Sequence, residues 1–123
     1  MSLFESGEMY LETIYVLLKE KPSVRAIDIG EHLGYSKPSV SRALGVLRDE
    51  GLIRKDEKGY IKLTKAGEIL AKQIYERHTV LTEVLIGLGV DEKTAAEDAC
   101  RIEHYISDTT FDAIKAHIKK YKS

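Results

Sequence analysis

The stretch VRAIDIGEHLGYSKPSVSRALGVLRDEGLIRKDEKGYIKLT, residues 24–64, contains most of the signals that set the fold. Its first part has the pattern of a short helix that ends at Gly34. Its second part begins a helix at Ser36, a typical N-cap residue, places Pro38 in the first turn and stops at Gly51. Two short helices joined by a tight turn, with serine, lysine and arginine at the start of the second, indicate a helix-turn-helix.

The last part of this stretch, LIRKDEKGYIKLT at residues 52–64, has two short β-prone runs on either side of EKG. This pattern predicts a β-hairpin. A helix-turn-helix followed directly by a basic hairpin has the element order of a winged helix. The alternative is a helical hairpin that happens to precede a β-hairpin, but the order, the lengths and the charge of the segments favour the winged helix.

Helical periodicity predicts one helix before this stretch and three after it. The first helix, residues 5–19, has two faces about 120° apart. One face carries Leu11, Ile14, Tyr15 and Leu18, and the other carries Met9, Glu12 and Val16. The later helices are predicted from Thr64 to near Leu88, from an Asp91 cap to near Ile106, and from an Asp108 cap onward. We therefore predict a mainly α fold, with an N-terminal winged helix-turn-helix and its small β-hairpin wing in residues 1–64, and a C-terminal helical domain in residues 65–123.

The composition excludes several classes of protein. With 123 residues, 43% of them hydrophobic and 32% charged, the chain can bury a core and is not disordered. It has no apolar run near the roughly 18 residues of a membrane span and no signal-peptide pattern. A single cysteine excludes an internal disulfide and a multi-cysteine zinc finger, and it suits a reducing compartment. We therefore expect a cytoplasmic protein with no membrane partner.

The net charge of −1 hides an uneven distribution. Residues 36–62 hold seven basic residues against four acidic ones, whereas residues 88–112 hold two basic residues against seven acidic ones. The basic segment could face nucleic acid and the acidic segment could hold cations. Charge alone equally allows two ordinary solvated faces.

The segment DACRIEHYIS, residues 98–107, groups the only cysteine with a carboxylate and an imidazole. With about 100° per residue, one helix face carries Glu97, Cys100, Glu103 and His104. A separate apolar stripe is formed by Ala95, Ala99, Ile102 and Ile106. Side chains one turn apart can converge on one metal ion, but a single helix cannot complete a coordination shell. The candidates to complete it are Met9 and Glu12 on the first helix and His78 on the fourth.

Other interpretations of this segment stay open at this point. Cys100 and His104 could form a nucleophilic pair, but no oxyanion hole or glycine-rich turn accompanies them. The same residues could also be ordinary core or surface residues. His32 and His117 have no neighbouring donors, so we interpret them as ordinary histidines.

Five segments together resemble one family, the metal-dependent transcriptional repressors of the diphtheria toxin repressor and manganese transport regulator type. The segments are EMYLETIY, SKPSVSRALGVLRDEGLI, GYIKLTKAGE, YERH and DACRIEHYISD, in this order along the chain. The resemblance covers essentially the whole chain, and the segments lie at separations that match the family. The resemblance implies an N-terminal winged helix, a C-terminal helical region for metal binding and dimerisation, and divalent metal sites.

The resemblance also implies roles for individual residues. The primary metal site of the iron-responsive branch is matched by Met9, Cys100, Glu103 and His104. His78 matches a histidine of the neighbouring site, and Glu12 matches a ligand of the manganese-responsive branch. That branch has aspartate where Met9 stands and glutamate where Cys100 stands, so the chain combines features of both branches.

The sequence also departs from the iron-responsive branch. Thr82 and Ala96 stand where that branch has a glutamate and a histidine of the second site, and Glu97 or Glu83 could substitute for them. The resemblance is to the short, two-domain form of the family, so we expect no counterpart of the third, SH3-like domain of that branch.

The donor set favours Fe(II) as the cofactor, because a thioether and a thiol beside imidazole and carboxylate suit it better than the oxygen-preferring Mn(II). Mn(II) remains possible because of Glu12, and Co(II), Ni(II) or Zn(II) would serve as surrogates. We expect a homodimer whose recognition helices enter successive major grooves of a palindromic operator, about 34 Å apart. The predicted DNA-binding residues are Ser36, Lys37, Ser39, Ser41, Arg42, Arg54, Lys55 and Lys58. Arg42 is the best candidate for a base contact, and the residues on or near the wing, with Lys62, would contact phosphates.

Two other functions are alternatives to this hypothesis. One is a winged-helix regulator or interaction module that does not respond to metal. The other is a redox sensor or small enzyme that uses Cys100 with His104. The resemblance favours a repressor that is not an enzyme and takes no organic substrate.

Overall fold

The computed structural model describes residues 5–122. Residues 1–4 of the predicted N-terminal domain and Ser123 of the predicted C-terminal domain lie outside the described residues. The elements are α1 (Glu5–Glu20), α2 (Ala26–Leu33), α3 (Lys37–Asp49), β1 (Ile53–Lys55), β2 (Ile61–Leu63), α4 (Lys65–Gly87), α5 (Glu92–Ile102) and α6 (Asp108–Lys122). The predicted order of three helices, a hairpin and three helices is confirmed. The chain forms two compact units, an N-terminal unit that ends at Lys72 and a C-terminal unit that begins at Gln73. Their division falls within α4, whereas the predicted division at residue 64 stays a prediction.

Local signals end α2 and begin α3 in the helix-turn-helix. Gly34 has a φ of 73°, the left-handed conformation that glycine adopts most easily at the end of a helix. Ser36 caps α3, because its side-chain oxygen accepts a hydrogen bond from the Ser39 amide at 3.3 Å. The Asp28 carboxylate accepts hydrogen bonds from Lys21 Nζ and the Arg25 amide, both at 2.8 Å. These two hydrogen bonds lower the pKa of the Asp28 carboxyl.

The wing is an antiparallel hairpin in which Ile53 is paired with Leu63 and Lys55 with Ile61. The Asp56 carboxylate closes its turn by accepting hydrogen bonds from the backbone amides of Lys58 and Tyr60, both at 2.9 Å. The hairpin is joined to the segment before α2, since the Ile61 amide donates to the Val24 carbonyl at 2.7 Å.

The core of the N-terminal unit is formed by apolar side chains from every helix and strand in it. Its fully buried members include Leu11, Ile14, Val24, Ile29, Val40, Leu47 and Ile61. On α1, the predicted Tyr15 and Leu18 are only half-buried. Leu17 is buried instead, so the buried stripe is centred on Ile14. At the start of α4, a Cβ atom on Gly67 would lie 1.9 Å from the Leu52 carbonyl oxygen, so this contact requires glycine.

The C-terminal unit contains most of α4 with α5 and α6, and buries Ile74, Leu81, Ala95, Ala99 and Phe111. The predicted Asp91 cap of α5 is confirmed by its 3.0 Å hydrogen bond from the Thr94 amide. The predicted end of α5 was wrong, because the helix stops at Ile102 instead of Ile106.

The predicted cap of α6 was also wrong. Ser107 caps this helix with its side-chain oxygen, which accepts from the Thr110 amide at 3.2 Å, and Asp108 is the first helical residue. Among residues 5–122, no helix has both the length and the hydropathy that crossing a bilayer requires.

Candidate metal centre and nucleic-acid interface

The candidate metal centre lies where α5 ends. Each of Cys100, Glu103 and His104 offers one donor atom, and these three atoms lie within 4.8 Å of one another. Although α5 ends at Ile102, the Glu103 amide still donates to the Ala99 carbonyl at 2.9 Å, and Glu103 keeps helical backbone angles. The spacing of one helical turn therefore brings the three side chains together, as the sequence predicted.

Glu103 is the centre of this cluster, and its side chain is fully buried. One carboxylate oxygen lies 3.0 Å from His78 Nδ1, and the other lies 3.2 Å from His104 Nε2. Burying a carboxylate is costly unless nearby groups compensate its charge, so a cation-binding role is a physical reason for its position. A thiol, a carboxylate and an imidazole at this separation fit a divalent transition metal.

His78 lies on α4 and contacts the cluster through Glu103. Its ring nitrogen is at hydrogen-bond distance from the carboxylate, so it can orient Glu103 even where it is not itself a ligand. Thr82, one turn later on α4, donates its hydroxyl to the His78 carbonyl at 2.7 Å. The substitutes named for a second site, Glu83 and Glu97, are both exposed.

Met9 and Glu12 lie one turn apart on α1 in the N-terminal unit, and both are half-buried. Met9 lines a cavity of about 400 Å³ whose other walls include Tyr35 of the turn before α3 and Arg42 of α3. The sulfur-bearing side chain is therefore placed beside the recognition helix. On the α1 face predicted to carry Met9, Glu12 and Val16, Met9 therefore has α3 as a neighbour within its own unit.

The candidate nucleic-acid interface comprises the start of α3 and the wing. All eight predicted DNA-binding side chains are exposed, namely Ser36, Lys37, Ser39, Ser41, Arg42, Arg54, Lys55 and Lys58, whereas Lys62 is half-buried. Ser36 also has a structural role, because it caps α3 and donates its hydroxyl to the Ser39 hydroxyl at 2.9 Å.

Sequence reasoning did not single out two arginines that the structure places near these sites. Arg48 lines a small depression of about 80 Å³ together with Arg54 and Lys55, which extends the basic surface along α3. Arg77 donates hydrogen bonds to the backbone carbonyls of Glu103 and Ile106. The only signal for Arg77 in the sequence is its place next to His78, and this does not indicate a contact with a segment far along the chain.

Two family models match the two halves of the chain. Residues 2–61 match the family model described as "Iron dependent repressor, N-terminal DNA binding domain". Residues 64–123 match the model described as "Iron dependent repressor, metal binding and dimerisation domain". The chain is also 36% identical over 112 residues to the transcriptional regulator MntR of Escherichia coli, an alignment that covers 91% of this chain and 72% of that protein. The chain belongs to the diphtheria toxin repressor and manganese transport regulator family.

Other members of this repressor family show the same relationship. The chain is 37% identical over 110 residues to the HTH-type transcriptional regulator MntR of Bacillus subtilis, covering 89% of this chain and 77% of that protein. The solved structure of the manganese regulator SloR superposes with a TM-score of 0.81 at 30% identity, covering 97% of this chain and 55% of that one. The chain thus spans about half the length of SloR.

Family membership confirms several predictions made from the sequence. The fold is mainly helical with a winged helix-turn-helix, and the chain is a metal-dependent, DNA-binding transcriptional repressor. It is not an enzyme. The family also carries a dimerisation domain, as predicted.

Proposed function

We propose that this repressor uses a divalent transition metal, Fe(II) in preference to Mn(II), as its co-repressor, and that as a cytoplasmic homodimer it binds a palindromic operator. The observation that carries the proposal is the fully buried Glu103 carboxylate, which lies with the Cys100 thiol and the His104 imidazole in one cluster. A buried carboxyl group beside two further metal-binding side chains can serve as a cation site.

The metal ligands are drawn from six residues: Met9, Glu12, His78, Cys100, Glu103 and His104. The last three are supported by their proximity, and His78 is supported by its contact with Glu103. Met9 and Glu12 are included because they match ligands of the two branches of the family. When bound, a divalent cation would offset the negative charge of Glu103 and of the Cys100 thiolate.

The preference for Fe(II) rests on Cys100 and Met9. Thiolate and thioether sulfur are soft ligands, and they favour Fe(II), Co(II), Ni(II) and Zn(II) over Mn(II). The known relatives include a protein described as the manganese regulator SloR, and Glu12 adds an oxygen ligand that suits Mn(II). The preferred metal therefore depends on whether sulfur or oxygen atoms form more of the coordination shell.

Operator binding is assigned to α3 and the wing. Arg42 is exposed near the start of α3, where a recognition helix contacts base edges, and its guanidinium suits the paired acceptors of guanine. Arg54, Lys55 and Lys58 are exposed on the wing and suit phosphate contacts, which make binding depend on salt.

The C-terminal unit is the proposed site of dimer formation. Among the side chains that the structure describes, it exposes four large apolar ones, with exposed fractions of 42% for Ile86, 76% for Leu88, 38% for Ile102 and 75% for Tyr105. Exposed apolar groups of this kind favour contact with another protein surface. A second copy of the chain is the expected occupant, because the family model that matches this unit includes dimerisation.

The test is a metal-by-metal titration of DNA binding under anaerobic conditions. The DNA is a duplex selected from a random-sequence library by the Fe(II)-treated protein, and binding is followed by electrophoretic mobility shift. We expect Fe(II) to promote binding at lower concentration than Mn(II), and a chelator to reverse it. By linkage, the selected duplex should tighten metal binding by the same factor. An identical shift with chelator and with excess Fe(II) would overturn the proposal, and a lower midpoint for Mn(II) would overturn the preference for iron.

A further inference from the structure

Arg77 of α4 spans the junction between α5 and α6 and contacts it in several places. Its Nη1 atom donates to the Glu103 carbonyl at 3.2 Å and to the Ile106 carbonyl at 2.7 Å. Its Nη2 atom donates to the Asp108 carboxylate, and its guanidinium lies over the Phe111 ring, 5.4 Å from the ring centroid. Only 18% of the Arg77 side chain is exposed, whereas 91% of the Asp108 side chain is exposed. The two contacts with backbone carbonyls are therefore the ones that are partly shielded from water.

These contacts meet the needs of a helix end. The carbonyl at a helix end, here that of Glu103, and a carbonyl of the turn that follows, here that of Ile106, lie beyond the hydrogen-bond ladder of the helix and bind groups from elsewhere in the fold. The guanidinium is a rigid planar fork with five donors, so one arginine can bind carbonyls three residues apart and a carboxylate at once. Arg77 therefore holds residues 103–108 in one backbone shape, and two of these residues are the candidate ligands Glu103 and His104.

We propose that Arg77 is a positioning residue for the metal centre. It acts through the backbone of the turn after α5, which it holds so that the Glu103 carboxylate and the His104 imidazole point to the same place as the Cys100 thiol. This inference rests on the proposed metal site. It adds that the affinity of the site depends on a residue that is not itself a ligand.

Removing Arg77 should change metal affinity in opposite directions for the two roles that its guanidinium could have, positioning of the ligands and repulsion of the cation. A guanidinium near a cation site repels the cation, so removing its charge alone would tighten metal binding. Losing its hold on the turn would loosen the ligands and weaken metal binding. Groups that orient metal ligands typically contribute about 10- to 100-fold in affinity.

The experiment compares Arg77→Ala with Lys115→Ala, because each removes one positive charge from the C-terminal unit. Lys115 forms an exposed ion pair with Glu76 at 2.9 Å, and neither partner is a candidate ligand. Anaerobic Co(II) titration, followed by visible absorption, reports affinity and coordination geometry. We expect Arg77→Ala to bind Co(II) about 10-fold more weakly or worse, with an altered spectrum, and Lys115→Ala to match the wild type.

One further measurement and one further variant test whether a loss of Co(II) affinity comes from the turn that Arg77 holds. Hydrogen exchange of the amides in residues 104–107 should be faster in metal-free Arg77→Ala than in metal-free Lys115→Ala. Arg77→Lys should restore Co(II) binding only in part, because it keeps the charge but lacks the planar fork. If Arg77→Ala does not fold, Arg77→Lys and Asp108→Asn decide the matter, and both should weaken Co(II) binding.

The outcomes distinguish this inference from the proposed function. If the wild-type protein binds no Co(II), Fe(II) or Mn(II), the proposed metal site fails. If the wild type binds Co(II) and the Arg77 variants bind it equally or more tightly with unchanged hydrogen exchange, only the positioning role of Arg77 is overturned.

Discussion

The helix-turn-helix and the junction between α5 and α6 end their helices by different means. In the helix-turn-helix, Gly34 ends α2 and Ser36 begins α3 through contacts within four residues along the chain. At the junction, the carbonyls after α5 are bound by Arg77, which is 26 to 29 residues away in sequence. The first kind of helix end is set locally and the second kind depends on the tertiary structure. Substitutions in the helix-turn-helix should therefore disturb contacts between neighbours in sequence, whereas substitutions at the junction should disturb contacts between distant segments.

The largest effect is expected from Gly67→Ala. A Cβ atom here would lie 1.9 Å from the Leu52 carbonyl oxygen, so the backbone of α4 or of residue 52 must shift. We expect the free energy of unfolding, measured by urea denaturation, to fall by about 3 kcal/mol. Gly87→Ala is the matched control at the other end of α4, because a Cβ atom added there would meet no other part of the structure within 4 Å. This variant should be neutral or stabilising by up to about 1 kcal/mol. Equal effects of the two variants would show that close packing at Gly67 does not matter.

A large effect confined to metal binding is expected from Cys100→Ser. We expect Co(II) affinity to fall by about 10-fold or more, with loss of thiolate-to-metal charge-transfer absorption, because the hydroxyl is a much poorer ligand. Cys100 is half-buried, so the unfolding free energy of the metal-free protein should change by less than about 1 kcal/mol.

Glu97→Gln is the control for Cys100→Ser, because Glu97 shares the predicted helix face but is exposed. It should leave Co(II) binding unchanged. An unchanged titration of Cys100→Ser would remove this residue from the site, and a loss with Glu97→Gln would place Glu97 in a second site.

A smaller effect is expected from Asp28→Asn in the helix-turn-helix. The Lys21 and Arg25 hydrogen bonds lower the pKa of Asp28, so its contribution to stability is present at neutral pH and is lost as the pH falls through that lowered value, below 3.8. The variant should unfold about 1 kcal/mol more easily at pH 7 and show a flatter loss of stability between about pH 4 and pH 2. Denaturation across this pH range measures both, and parallel curves for variant and wild type would contradict the assignment.

The smallest effect is expected from Lys58→Ala in the wing. Lys58 is exposed, and its backbone amide, which the substitution keeps, makes the hydrogen bond to Asp56. Loss of one phosphate contact should weaken binding similarly for all DNA sequences and reduce the slope of log affinity against log salt by about 1. Lys72→Ala, an exposed lysine outside the predicted interface, should keep the wild-type slope.

The sequence predicted the order of the elements because several helix ends in residues 5–122 are set by nearby residues. Gly34, Ser36 and Asp91 each act on a backbone group within four residues, and each was correctly placed from its residue type. The donors Cys100, Glu103 and His104 were predicted together for the same reason, because spacing along one helical turn determines which side chains meet. The roles of Met9, Glu12 and the DNA-binding residues stay predictions.

The amino-acid sequence by itself determined the order of elements, the caps at Ser36 and Asp91 and the shared face of the metal donors, since all of these depend on short-range geometry. Only the tertiary structure decided where α5 ends, which carbonyls Arg77 binds, and why residue 67 must be glycine. These features depend on groups that are distant in sequence and meet only after the chain has folded. Helical periodicity does not predict such long-range contacts, because it describes one element at a time.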